Sequence, residues 1–471
     1  MTTSPLAAYR GRPVLVAGAG VAGFACAKAL LGLDAEVTVI DRKESPRLAE
    51  LAEAGARITI AEVAGPELLR RVTDVIVSPG FPPHHALVQA AMEAGHQPGR
   101  SIYSEPELAW RLRGENPAPW LAITGTNGKT TTVTMLQAIL AAAGLRSAAL
   151  GNVGEPLVDA VLAPAGQRYD VLAVELSSFQ LHWSRELAPE AGALLNVADD
   201  HLDWHGGVDA YAAAKAKLWR GVPSGGVAIA NLDDPVAARI LAQVSGRTVG
   251  VTLRPPEPGQ LGVRDGVLVD RAFSDDPCEL ARVDQIRPVG EHNVANALAA
   301  AALARSYGVP AEAVRAGLAG YTPQPHRNAY LATVDGVDYV DDSKATNPHA
   351  AVSSLLAYPR VVWIAGGQLK DVSVESLVKS VADRLVGVVL IGVDRAQIAD
   401  AVQRHAPGIP VVDVARTDDG AMAEAVGAAA QLARPGDTVL LAPAAASYDM
   451  FSGYADRGRR FAAAVAELRD R

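Results

Sequence analysis

The chain has 471 residues, 49% of them hydrophobic and 20% charged, with a formal net charge of −9. This excludes a disordered chain and a general nucleic-acid binder, which needs a basic face, but leaves room for anionic small ligands held by helix N-termini and a few local cations. Cys26 and Cys278 form neither a disulfide framework nor a CxxC metal pair. No apolar stretch reaches the roughly 18 residues of a membrane span and no secretory leader opens the chain, so a cytoplasmic protein is expected.

At roughly 150 residues per domain, about three domains are expected. The first block alternates apolar runs with helical patterns: VLVAG (14–18), EVTVID (36–41), RITIA (57–61) and VIVSPG (75–80). That alternation predicts a parallel sheet flanked by helices. Gly18, Gly20 and Gly23 follow the first run. The first suits a tight turn, the second close approach of backbone to a phosphate, and the third close helix–strand packing. Alone, this turn reads as the dinucleotide grip of a hydride-transferring enzyme. Asp41 falls near where an NAD site places its ribose acid, but Arg42 and Lys43 after it suit anionic or uracil contacts.

A second α/β series follows: WLAITG, VLAVELSS, ALLNVADD and VAIANLDD, four apolar runs that end in polar residues. Parallel strands whose C-terminal ends carry a site read this way. Residues 250–288, rich in Pro, Gly and Asp, read as short strands or surface excursions, and EHNVANALAAAALARSYG as a helix. YTPQPHRN (321–328), with two prolines, reads as a hinge. VDYVDDSKATNPHA, VVWIAGG, GVVLIG and DTVLLAPAAAS then repeat strand, turn and helix.

WLAITGTNGKTTT is the most specific element. A strand ends at Gly125, a tight turn follows, and Lys129 and Thr130 open a helix. Backbone N–H groups and the helix N-terminus suit phosphates, the lysine reaches β/γ oxygens, and the next hydroxyl suits Mg²⁺. The full GxxxxGK[ST] pattern fails, because its first glycine falls on Ile123; G-x-x-G-K-T remains. The bland alternative is a glycine turn with a stray lysine before a capped helix.

The loop resembles that of the Mur ligase superfamily, which reads GTNGKT, and the resemblance covers nearly the whole chain. It implies an α/β fold of three domains. These are a Rossmann-like UDP-sugar-binding sheet (1–104), a central P-loop ATP-binding ligase domain (105–323) and a Rossmann-like D-glutamate-binding domain (324–471). It implies ATP contacts at Gly125, Thr126, Asn127, Gly128, Lys129, Thr130 and Thr131. Asn293 is implied near the adenine, Arg327 near the phosphates and Asp342 at the ribose. Glu175 in VLAVELSS and His201 in ADDHLDWHG match the family's metal positions and, with Thr130 and a carbamylated Lys215 in YAAAKAKLW, imply two Mg²⁺ ions. Read alone, His201 and its aspartates are loop polarity or helix caps, and Lys215 a solvated lysine no better than Lys217.

DSKATN resembles the string of the D-glutamate-adding branch; the diaminopimelate- or lysine-adding branch shows another. Lys344 and Thr346 are thereby implied to face the reacting groups, with Thr346, Lys370, Ser447 and Tyr454 holding D-glutamate. Gly20, Val21, Ala22, Asp41, Arg42, Gly80, Asn152 and His201 are implied at the UDP-sugar. Two departures stand out: Asn328-Ala329 where relatives carry an acidic residue after His-Arg, and Tyr454 where some have phenylalanine. The implied reaction joins D-glutamate to UDP-N-acetylmuramoyl-L-alanine through an acyl phosphate, ATP giving ADP and phosphate, with catalytic roles for Lys129, Glu175, His201, Lys215 and Lys344. A monomer without nucleic-acid partners, closing at its hinge, is expected. A different Mur-type or folylpolyglutamate-type ligase shares the loop but not DSKATN. A dehydrogenase leaves Lys129, Glu175 and His201 idle, and a nucleotide-dependent binding protein would not need them intact.

Overall fold

The computed structural model describes residues 5–164, 167–222, 225–370 and 372–470. The chain divides into two compact units, residues 1–285 with 295–320, and residues 286–294 with 321–471.

The first unit holds two sheets. The first comprises β1 (Pro13–Ala17), β2 (Glu36–Asp41), β3 (Arg57–Ile60), β4 (Asp74–Val77) and β5 (Ile102–Tyr103). All pair in parallel, in the order β3-β2-β1-β4-β5. β1 and β4 are apolar because helices cover both faces, which removes the polar/apolar alternation of a one-sided sheet. Strand order reverses between them, so the crevice beyond their C-terminal ends receives the glycine turn and Ser78–Gly80.

The second sheet comprises β6 (Trp120–Thr124), β7 (Ser147–Gly151), β8 (Val171–Glu175), β9 (Ala191–Leu194), β10 (Val227–Asn231), β11 (Arg247–Val251), β12 (Gln260–Arg264), β13 (Val267–Asp270) and β14 (Cys278–Arg282). Its order is β14-β13-β12-β11-β10-β9-β6-β8-β7. β6 lies between β8 and β9, so the three loops after these strands converge. The Pro/Gly-rich stretch resolves into an antiparallel meander, β12 to β14. Asp265 and Gly266, both at positive φ (54° and 72°), turn the first hairpin. An Asp-Gly pair is suited to a two-residue hairpin loop whose twist matches the strands.

The two sheets share core. Trp183 and Trp204 pack with Val75, Val77 and Leu87. Polar ties reinforce this: Glu105 Oε1 accepts the Val158 N–H at 2.8 Å, and the Glu107 carboxylate accepts the N–H groups of Arg185 and Glu186. Among the described residues, no helix is long and apolar enough to cross a membrane.

The second unit holds β15 (Ala329–Val334), β16 (Val337–Asp341), β17 (Val361–Gly366), β18 (Leu385–Ile391), β19 (Val411–Asp413) and β20 (Thr438–Leu441), ordered β15-β16-β20-β17-β18-β19. Only β15 runs antiparallel. Trp363 and Ala365 face helices Pro348–Leu355, Glu375–Val381 and Arg395–His405. Val362 and Ile364 face Ala421–Leu432 and Tyr454–Arg469. This is the period-two alternation of a strand buried on both sides. β20 lies between β16 and β17, and the loops after these three carry DSKATN, Gly366–Lys370 and Ala442–Ser447.

Candidate active site

After β6 the chain turns through Gly125–Gly128 into the helix Lys129–Ala142, with Gly128 at φ 84°. Two facts demand glycine at 128: that conformation, and the Asn296 amide, which a Cβ would strike. Asn196, after β9, braces the turn by accepting the Asn127 N–H (2.8 Å) and donating to the Asn127 carbonyl (3.1 Å). The Lys129 ammonium curls over the loop and donates to the Gly125 and Thr126 carbonyls, both at 2.8 Å. Thr126 is tied by its hydroxyl to Tyr211 and to the Ala198 main chain.

Glu175, 1% exposed, ends β8 beside this loop. One oxygen accepts the Thr130 hydroxyl and the other the Asn152 amide, each at 2.8 Å. Lys215 is also 1% exposed. Its ammonium donates to the Gly125 carbonyl at 2.8 Å and lies 4.4 Å from the centre of the Tyr211 ring. Burial, then the nearby charge of Lys129, holds its pKa well below the usual lysine value, with Asp200 and Glu175 opposing. Lys215, not Lys217, is thus the lysine at the loop; Lys217 donates to the His182 carbonyl.

His201, at φ 53°, leaves its ring half-exposed against Phe179 and 3.5 Å from Asp200. Burial lowers its pKa; Asp200 opposes, while Lys129 and Lys215 add to the lowering. The imidazole is therefore neutral near pH 7, with a lone pair to offer. These interactions bring Lys129, Glu175, Asp200, His201 and Lys215 into one cluster. Among the described residues, no three His, Cys, Asp or Glu side chains converge as a metal site.

At the first sheet, Gly18 (φ 89°) makes the turn, and a Cβ on Gly23 would overlap the Gly18 carbonyl. Gly20 and Gly80 have open space where a Cβ would stand, and Val21 is 58% exposed. Backbone at 20–22 is therefore accessible at the N-terminus of the helix Val21–Leu31. Asp41 is turned inward: it accepts the Ala19 N–H (2.8 Å) and the Arg42 N–H (2.7 Å), bracing the glycine turn, while Arg42 stays exposed.

In the second unit, Asp342 is buried and its carboxyl is pushed up to about 6 by burial, against hydrogen bonds from Ser354 and Asn328. Asn328 explains its own departure from the acidic pattern. It sits at φ 51°, which asparagine tolerates, and gives its N–H to Asp342 at 3.1 Å. Its side-chain oxygen accepts from Tyr358 at 2.7 Å, and its amide donates to the Val289 carbonyl. Asn293 donates to the same carbonyl (3.2 Å) and meets His292 Nε2 (2.9 Å). Arg327 lies close enough to pull the Asp342 pKa down.

Lys344 Nζ lies 3.9 Å from the centre of the Tyr454 ring. Thr346 is partly exposed, Lys370 exposed at φ 54°, and Ser447 2% exposed in the loop after β20. Arg457 was not singled out from the sequence. Its fully buried guanidinium donates to the Ser343 hydroxyl (3.0 Å), the Ser343 carbonyl (2.9 Å) and the Ala445 carbonyl (3.1 Å). It thereby ties DSKATN to the loop holding Ser447. The signal was present: Arg457 falls on the buried stripe of its helix with Phe461, Ala464 and Val465. Gly458 beside it leaves room for the pair of His326 Nδ1 and Asp341, 2.6 Å apart.

Residues 12–98 match the family model of the Mur ligase MurD-like N-terminal domain, residues 123–304 that of the Mur ligase middle domain, and residues 326–445 that of the Mur ligase glutamate ligase domain. Curated relatives include UDP-N-acetylmuramoylalanine–D-glutamate ligases. That of Thermobifida fusca is 54% identical over 98% of this chain and 99% of its own. That of Streptomyces coelicolor is 51% identical over the same shares. Among solved structures, MurF from Acinetobacter baumannii has a TM-score of 0.60 at 18% identity, over 97% of this chain and 93% of that one. UDP-N-acetylmuramate-alanine ligase MurC from Thermotoga maritima has a TM-score of 0.56 at 18% identity, over 96% and 98%. These two likenesses establish the fold.

Proposed function

The chain belongs to the Mur ligase family, and from that premise we propose the residues by which it works as an ATP-dependent ligase adding D-glutamate to UDP-N-acetylmuramoyl-L-alanine. The observation that carries the assignment is the cluster after β6, β8 and β9. There Lys129, Lys215 and the Thr130–Glu175 pair meet at one phosphate loop.

A carboxylate is a poor electrophile and amide formation in water is uphill. ATP answers both. The L-alanyl carboxylate attacks the γ-phosphorus, the bond to the β-phosphate oxygen breaks, and ADP leaves an acyl phosphate. The D-glutamate amine then attacks the acyl carbon and phosphate departs. Positioning and charge neutralisation dominate the first step. Gly125, Thr126, Asn127, Gly128, Thr130 and Thr131 cradle the phosphates while Lys129 extends to the γ-phosphoryl. Asn293, Arg327 and Asp342 complete the nucleotide contacts.

Thr130 and Glu175 offer the hard-oxygen donor set that Mg²⁺ prefers, usually completed by water and phosphate oxygens. His201 and a carbamylated Lys215 would hold a second ion; such ions supply neutralisation of the developing phosphoryl charge. Lys215 fits the modification: its amine is desolvated beside Lys129, which favours the uncharged form that adds CO₂, and the resulting anion would be drawn to Lys129. His201 and Lys344 orient the incoming carboxylate. Lys370, Thr346, Ser447 and Tyr454 take D-glutamate through charge-assisted bonds. The UDP-sugar lies on Gly20, Val21, Ala22, Asp41, Arg42 and Gly80, with Asn152 and His201 toward its peptide end. We propose that the protein acts as a cytoplasmic monomer.

The test is phosphate release from ATP with Mg²⁺ and UDP-N-acetylmuramoyl-L-alanine, comparing D-glutamate with L-glutamate, lysine and diaminopimelate. Release dependent on D-glutamate alone is expected; release indifferent to the acceptor overturns the reading.

A further inference from the structure

Glu175 and His201 lie at the ends of two different strand–loop junctions, after β8 and after β9, so their spacing depends on how those two loops are fastened together. The helix Ser178–His182 begins shortly past Glu175, and the helix Leu202–His205 begins directly after His201. His205 Nε2 and the Ser178 hydroxyl share a hydrogen bond of 3.0 Å. Among the described residues, this is the one hydrogen bond that joins residues 176–184 to residues 195–206. The main chain of His205 is tied back to His201, whose carbonyl accepts the His205 N–H at 3.2 Å. A short path therefore runs from Glu175 through Ser178 and His205 to His201.

Ring packing follows the same path. The Phe179 ring stacks on His205, 5.7 Å between centres and 17° between planes, and lies 4.7 Å from the His201 ring. Packing alone does not call for a histidine at 205. Its Nδ1 is buried and has no hydrogen-bond partner among the described residues, a cost that a phenylalanine of similar shape would avoid. What the imidazole adds is Nε2, and the partner of Nε2 is Ser178. Groups behind metal ligands act in this way, by fixing how the ligands are presented.

We propose that His205 is a positioning residue: through Ser178 it holds the His201 loop at the spacing from Glu175 at which the two side chains serve neighbouring divalent cations. This rests on the assignment of Glu175 and His201 to cation binding. The probe is Mn²⁺ alone, titrated into the full-length protein and counted by loss of the free-ion electron paramagnetic resonance signal. His205→Phe keeps the stacking and loses the bond, so it should weaken Mn²⁺ at least about tenfold, whereas His205→Gln returns an amide near the place of Nε2 and should stay within about threefold of the natural chain. Ser178→Ala removes the same bond from its other side and should match His205→Phe, with the double variant no weaker than either. His201→Ala separates the two readings. If it leaves Mn²⁺ affinity unchanged, the cation assignment falls and the proposal with it. If it weakens Mn²⁺ while folded His205→Phe does not, or if His205→Gln is as weak as His205→Phe, the positioning role alone is overturned. Where His205→Phe does not fold, Ser178→Ala decides, and natural affinity in that variant overturns the proposal.

Discussion

Glu105 offers a quantitative test of how the first unit is held together. It is 3% exposed, and its carboxylate oxygen caps the helix Leu157–Leu162 by accepting the Val158 N–H. Burial raises its pKa from 4.5 to about 7, against the lowering effect of the Val158 and Leu157 N–H groups. The folded value exceeds the unfolded one, so the folded chain holds the extra proton between these two pH values. Stability is therefore undiminished below about pH 4.5 and falls as pH rises toward 7. At roughly 1.4 kcal/mol per unit, the full loss is about 3 kcal/mol, most of it between pH 5 and pH 8. Glu105→Gln keeps a carbonyl oxygen for Val158 but carries no proton to lose. Its stability relative to the natural chain should improve by roughly 2–3 kcal/mol from pH 5 to pH 8. In a unit of this size that is about 3–6 °C of melting midpoint. Thermal unfolding of both proteins at pH 5, 6.5 and 8 measures it. A gap that does not change with pH refutes the reasoning, whatever its size.

Three further outcomes concern the site. Lys129→Ala should lower kcat by about 10²–10³-fold, as loss of one preorganised charge donor does, with the melting midpoint preserved; near-normal turnover would remove Lys129 from the phosphoryl step. Lys215→Ala should cost at least about tenfold in kcat, and ¹³C-bicarbonate should give the natural protein a carbamate carbon resonance that this variant lacks. A resonance persisting in the variant places the modification elsewhere. Arg457→Lys retains charge but cannot reach all three acceptors at Ser343 and Ala445. It should raise KM for D-glutamate about tenfold while leaving KM for the UDP-sugar unchanged, consistent with loss of one to two hydrogen bonds. Equal changes in both would make Arg457 structural only.

Legibility in the sequence followed the range of each signal. The run EVTVID became a strand with the same ends, because its interior, Val37 to Ile40, is buried while the polar Glu36 and Asp41 bound it. The phosphate loop was readable because its glycines, lysine and threonines are contiguous. Residues 250–288 stayed vague, since their strands are short and their turns supply most of the composition. The Asp265-Gly266 pair was the usable clue there. Arg457 was missed because its partners lie more than a hundred residues away at Ser343, and in a different loop at Ala445. A charged side chain on an apolar helix stripe is the trace such a clamp leaves. The inward turn of Asp41 was illegible for a related reason: its position beyond a strand suits a ligand contact and a loop brace equally.

That distinction between brace and ligand contact rests on what each carboxylate accepts. Asp41 receives two main-chain N–H groups, from Ala19 and Arg42, whose directions are set by the turn. Such donors cannot swing away without unmaking the loop, so Asp41 contributes to a ligand chiefly by holding backbone at 20–22 in place. Asp342 is intermediate, with one main-chain donor from Asn328 and the Ser354 hydroxyl. Among the described residues, the Glu175 carboxylate receives only side-chain donors, the Thr130 hydroxyl and the Asn152 amide. A hydroxyl and an amide rotate at little cost; Thr130 lies in the first turn of the helix Lys129–Ala142, proposed to meet ATP, and Asn152 follows β7, proposed to meet the UDP-sugar. Among these three carboxylates, Glu175 is therefore the one whose partners can be exchanged without disturbing the fold, as a group that takes hold of a cation during turnover must allow.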